Sequence, residues 1–323
     1  MSMLDETLGA SFLGMLAAAI LYGVTSVQTF LYFNDVGNRR DSCVLKATVA
    51  FLWILDTIHM AFTTHGLYFY LVTNFGKFEV LLYPTWSMLA GVYVTALSDL
   101  TVRAFFAKRV YICEADFDWR QHTSLNILST LTVCGEKRFL ARFLPIVIMA
   151  LSLVVFAFAF GFASKGYVLK TFKGLGEVSA MLYISFSGAV AADAVIAVSL
   201  CTLLVRSRTG FKRTDSIVTF LMAFTINTGL LTSICALACL VTYTLWPQKF
   251  IFMGLYFALG KLYINSLLAS LNTRGALRNQ GRGGVITVPT QVLTPIEFPI
   301  KDTEMEMSRS KGSRGDTEQN GEK

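Results

Sequence analysis

Charge is scarce in this sequence: Asp, Glu, Lys and Arg make up 15% of the 323 residues, whereas 54% are hydrophobic. With a mean hydropathy of +0.55, that balance excludes a water-soluble globular domain and describes a chain solvated largely by lipid. There are three histidines, His59, His65 and His122, too few and too scattered for the histidine boxes of membrane di-iron or zinc enzymes. H-E-x-x-H, P-loop and G-x-S-x-G patterns are missing as well, and no nucleophile has a visible base, so no enzyme activity, metal or cofactor is expected. No N-x-[ST] sequon occurs, so outer loops are expected to carry no N-glycan. The six cysteines include Cys235 and Cys239, one helical turn apart in an apolar run. None falls in a segment expected on the extracellular side, which argues against an extracellular disulfide. Proline is rare, and Pro84, Pro145 and Pro247 lie near the ends of apolar runs, leaving the run interiors free to be continuous helices.

What the sequence does have is long apolar runs. About 20 mainly apolar residues cross a bilayer as a helix, and seven runs meet that length: 8–33, 44–72, 80–107, 143–163, 178–205, 217–245 and 250–271. They are continuous rather than alternating, which excludes barrel strands. The fold class is therefore all-α, a polytopic membrane protein with a seven-transmembrane-helix bundle. Asp5 and Glu6 precede the first run where a cleaved signal would be basic, so that run is read as a retained helix.

The basic residues set the expected orientation. Arg39, Arg40, Lys46, Lys108, Arg109, Arg120, Lys137, Arg138, Arg142, Arg206, Arg208, Lys212 and Arg213 occupy one set of connections, thirteen in all. The alternate connections hold five: Lys77, Lys165, Lys170, Lys173 and Lys249. The richer set belongs in the cytosol, which places the N-terminus outside and the C-terminus inside. This separation into loops also argues against nucleic acid as the partner of a chain with net charge +7. Arg206, Arg208, Lys212 and Arg213 form a basic cytosolic loop suited to anionic lipid headgroups, in a plasma membrane or endomembrane. Residues 275–323 turn to Gly, Pro, Ser, Thr and mixed charge, the composition of a disordered cytosolic tail.

Ionisable residues inside apolar runs are costly to insert, so they are the informative ones. Asp56, Asp193 and Lys261 fall near mid-depth, with Asn227 and Asn265 at similar levels and His59 on the face of Asp56. This intramembrane polar cluster suits either a ligand, ion or proton site, or hydrogen-bonding between helices. Lys261 requires a carboxylate, with Asp193 preferred over Asp56. Asp99 and Arg103, spaced i, i+4, read as an ion pair at the cytoplasmic end of the third helix. In the first run Ala10, Gly14 and Ala18 recur every four residues, a stripe that lets a second helix approach closely.

Three stretches carry a resemblance: ADAVIAVSLCTLLVRSRTGFKRTDS at 192–216, INTGLLTSICAL at 226–237 and LGKLYINSLLASLNTR at 259–274. With weaker echoes at 27–33 and 55–65, they resemble a fungal, chiefly basidiomycete, family of multi-pass membrane proteins known as a domain of unknown function. Its pattern joins an R-x-R-T-G-F-x-x-T-D loop to a K-L-Y-x-N-S-L-L-A-x-L-N-[ST]-R last helix. The resemblance implies a seven-helix membrane protein and no particular activity. The connection 108–142 is longer than the short loop usual in that family.

These readings favour a receptor-like or sensory membrane protein with a small-molecule ligand between its helices. A transporter or channel suits the same charges, but no internal repeat or broken helix supports it. A structural membrane scaffold is the third alternative.

Overall fold

A computed structural model describes residues 8–35, 38–39, 41–124, 130–171, 179–206, 212–246 and 249–280, with the side chains of 78, 113–142, 203–204, 206–228 and 274–280 outside that description. All of these lie in one compact unit, Met1–Gly283, and the second unit, Gly284–Lys323, is outside the described residues.

Among the described residues every regular element is a helix. The helices are α1 (Ala10–Asn34), α2 (Cys43–Tyr68), α3 (Trp86–Ser124), α4 (Thr130–Leu169), α5 (Ser179–Arg206), α6 (Lys212–Leu245) and α7 (Ile251–Gln280). Six contain segments long and apolar enough to cross a membrane, and the described apolar part of α6 is Gly229–Leu245. The protein is thus a multi-pass helical membrane protein.

Local chemistry sets the helix ends. Ser42 caps α2, its side chain accepting from the Leu45 N–H at 3.3 Å, which satisfies one of the first-turn donors that a helix leaves unpaired. After α2, the chain widens into a single π-helical stretch at Phe69–Thr73, turns at Gly76 with φ of 81°, and makes a short 3-10 helix at Phe78–Leu82. Only glycine enters that left-handed region without steric cost. The expected third run began at residue 80, but α3 begins at Trp86. Pro84 separates the two, because the residue before a proline is held away from helical geometry.

Two connections also differ from expectation. The 108–142 connection, read as a loop, is mostly helix, since α3 continues to Ser124 and α4 begins at Thr130. The tail assigned from 275 likewise begins in helix, as α7 runs to Gln280. The apolar pattern reports where lipid ends. Backbone hydrogen bonding does not have to stop there.

Packing follows chain order around a closed ring: each helix contacts the next, α7 returns to α1, and α3 leans inward to touch α5 and α7. Of the six spans, α7 is the most enclosed, with 61% of its most apolar window buried against 17% for α1. Side chains such as Leu13, Ile20 and Phe30 on α1 are more than half exposed, as a lipid-facing surface requires. α1 and α7 meet where the small-residue stripe allows: a Cβ on Gly14 would lie 2.2 Å from the Cα of Gly254. Only two glycines permit that approach, and Ala18 packs with Leu67 and Phe257 below it. Ser11 adds a hydrogen bond to the Phe250 carbonyl at 3.3 Å.

Candidate functional site

α7 is enclosed although it carries Lys261, Asn265, Ser266 and Ser270, and the reason lies in what each side chain meets. Successive helical residues rotate by about 100°, so Lys261 and Tyr263 face roughly opposite directions. Lys261 turns to α2. Its Nζ donates to Asp56 Oδ1 at 2.5 Å and to the Asp56 carbonyl at 2.9 Å, with the lysine 1% exposed and the Asp56 side chain 2%. The ammonium also lies 5.5 Å from the centre of the Tyr22 ring on α1, a cation–π contact. Asn265, one turn on, accepts from Thr25 Oγ1 at 3.1 Å and donates to the Leu21 carbonyl at 3.0 Å, tying α7 to α1. His59 is buried, packed edge-on against Phe257 of α7 and close to Gly91 of α3.

Tyr263 turns the other way. Its hydroxyl accepts from Arg103 Nη2 of α3 at 2.8 Å and donates to Asp193 Oδ2 of α5. Arg103 Nε reaches Asp193 Oδ1 at 3.3 Å, and Thr232 of α6 donates to Asp193 Oδ2 at 3.3 Å. Four helices therefore converge on one carboxylate. The guanidinium also lies 5.1 Å from the Tyr263 ring centre. Arg109, six residues on along α3, reaches Ser270 of α7 at 2.8 Å.

These contacts revise the expected pairings. Asp193, the preferred partner for Lys261, is engaged by Arg103, and Lys261 takes Asp56. Nor do Asp99 and Arg103 form the expected cytoplasmic-end pair. Arg103 is 1% exposed with its donors on Asp193 and Tyr263, while Asp99 Oδ1 is buried without a hydrogen-bond partner. The cause is helix length. α3 extends well past the apolar run that made Arg103 look terminal, so its guanidinium points into the bundle rather than to headgroups. The side chain of Asn227 and the basic loop of Arg206, Arg208, Lys212 and Arg213 lie outside the described residues.

Sequence reasoning missed Tyr263, Thr232 and Thr25. Hydroxyls carry no insertion penalty large enough to flag them. The available signal was Tyr263, a phenol two residues from a mid-membrane lysine, which must find a partner when buried.

Two small cavities flank Arg103, each of about 30 Å³, enough for at least one water molecule. Asp99, Arg103, Ser152, Ser185 and Tyr256 line the first, between α3, α4, α5 and α7. Asp193, Thr232 and Ser266 line the second with Arg103. Small-molecule pockets usually measure about 300–1,000 Å³, so neither admits an organic ligand in this conformation. Elsewhere, His65 Nδ1 lies 2.9 Å from the Oγ of Ser87, which is fully buried. Among the described residues, no group of His, Cys, Asp or Glu is placed to hold a metal ion.

Residues 189–276 match a family of unknown function, DUF6534. The match begins within α5 and ends near the end of α7, taking in Asp193, Thr232, Lys261, Tyr263 and Asn265. Their partners Asp56, Arg103 and Thr25 lie outside it, so each buried ion pair joins the matched segment to the remainder of the bundle. No curated protein and no solved structure matches the chain.

Proposed function

We propose that the protein is a receptor-like or sensory membrane protein, crossing the bilayer seven times with its N-terminus outside and its C-terminus cytosolic, related to fungal multi-pass proteins. The observation that supports this reading is the grip on α7. Lys261 on one face and Tyr263 on the other bind carboxylate groups from different helices through a buried ion pair and a buried ion-pair network. Such contacts are satisfied in one arrangement of helices and broken in another, so they suit a two-state element that a ligand biases. In this reading a ligand binds by opening the bundle or by engaging the outer ends of the helices. The basic loop supplies an anionic-lipid contact on the cytosolic side. A transporter would use the same polar groups. Against it, the described spans are unbroken through their middles, whereas transporter sites are commonly built from discontinuous helices.

The orientation is tested with tags. A tag at Met1 is expected to be cleaved by protease outside intact cells and a tag at Lys323 to be protected. Both tags on one side would remove the seven-span arrangement. Function is tested on purified protein, by a thermal-shift screen of small molecules beside solute flux into liposomes. The expected result is a stabilising compound whose effect is lost in Lys261→Met, with flux no greater than in empty liposomes. Flux abolished by Asp193→Asn would favour the transporter instead, and neither flux nor a stabiliser would favour the scaffold.

A further inference from the structure

The Arg103 cluster contains more negative than positive valence. Arg103 is one cation, and two carboxyl groups approach it: Asp193 from α5, bonded to it directly, and Asp99 from one turn earlier on α3. Lys261 offers no relief, because its ammonium is held on the opposite face of α7 by Asp56. Arg109 lies about 15 Å along the helix from Asp99 at 1.5 Å per residue and bonds Ser270. From α7, Tyr256 and Tyr263 face the cavity, and α4 contributes Ser152, whose hydroxyl is committed to the Ile148 carbonyl at 2.7 Å. On α2, the ionisable groups Asp56 and His59 lie on the Lys261 side. An uncompensated carboxylate within a bilayer is strongly disfavoured. Asp99 has a buried oxygen without a partner beside a cavity large enough for water.

We propose that Asp99 is a proton-binding site, its carboxylate taking a proton from hydronium in the cavity between α3, α4, α5 and α7 and leaving Arg103 to Asp193. In the uptake step hydronium gives one proton to a carboxylate oxygen, an O–H bond forms, and water is returned to the cavity. The negative charge is removed, and the new O–H is a donor for that water. Loss of the proton restores a carboxylate that competes with Asp193 for Arg103. Proton occupancy is thereby coupled to the link between α3 and α5, independently of whether the protein is a receptor or a transporter.

The test is infrared spectroscopy of the full chain in lipid nanodiscs. The expected signature is the carbonyl stretch of a protonated carboxylic acid that shifts in D2O, disappears in Asp99→Asn and persists in Asp56→Asn. Should Asp99→Asn not fold, Asp99→Glu is expected to keep the band at a displaced frequency. A spectrum without the band, or a band that neither substitution alters, overturns the proposal. Loss of the band when sodium replaces choline, with sodium stabilising the wild type and not Asp99→Asn, overturns it in favour of a metal cation.

Discussion

Replacing Lys261 by Met removes the only ammonium within reach of Asp56 among the described residues, together with the hydrogen bond to the Asp56 carbonyl. Asp56 Oδ2 already lacks a hydrogen-bond partner, so the substitution leaves the carboxylate without its cation in a site where the side chain is 2% exposed. Breaking one side of a buried pair costs about 3–5 kcal/mol. At about 2–4 °C per kcal/mol, a scale set by soluble domains, the midpoint falls on the order of 10 °C. Asp56→Asn leaves the ammonium without its anion and belongs in the same range. Removing both charges together is often close to neutral, so Lys261→Met with Asp56→Asn is expected to recover most of the summed single effects, on the order of 6 kcal/mol. Unfolding in mixed micelles titrated with SDS, followed by tryptophan fluorescence, measures each variant. As a control, Lys261→Met with Asp193→Asn should be additive, because these residues belong to different pairs. If the Asp56 combination is additive and the Asp193 combination recovers, the assignment of partners is refuted.

Gly14→Leu is expected to separate α1 from α7 and to lower the yield of folded protein in size-exclusion chromatography. The added Cβ would meet backbone at 2.2 Å, whereas Gly23→Ala, with nothing within 4 Å, should behave as wild type. Tyr263→Phe removes a hydroxyl that both accepts from Arg103 and donates to Asp193. A loss of about 1.5–3 kcal/mol is expected, typical of a hydrogen bond to a charged group, and SDS titration checks it. No change would mean that the phenol only fills space.

Much of the molecule was legible because lipid acts on residues one at a time. A run of about 20 apolar residues forms a helix whatever its neighbours, since no other backbone conformation satisfies its own hydrogen bonds in hydrocarbon. The desolvation of Asp56, Asp193 and Lys261 is likewise a property of each residue and its depth, which is why the sequence marked them as needing partners. The Ala10, Gly14 and Ala18 stripe announced a close helix contact, but it could not name α7 as the helix that makes it. Partner choice depends on rotation and offset between helices far apart in the chain. Lys261 had two carboxylates at similar depth. Only the packed bundle turns residue 261 toward α2 and residue 263, roughly 200° around the same helix, toward α3 and α5. Arg103 shows the same division. Its charge was visible in the sequence, but its burial came from the length of α3 and the inward lean of that helix, which bring it to Asp193, 90 residues away in the chain.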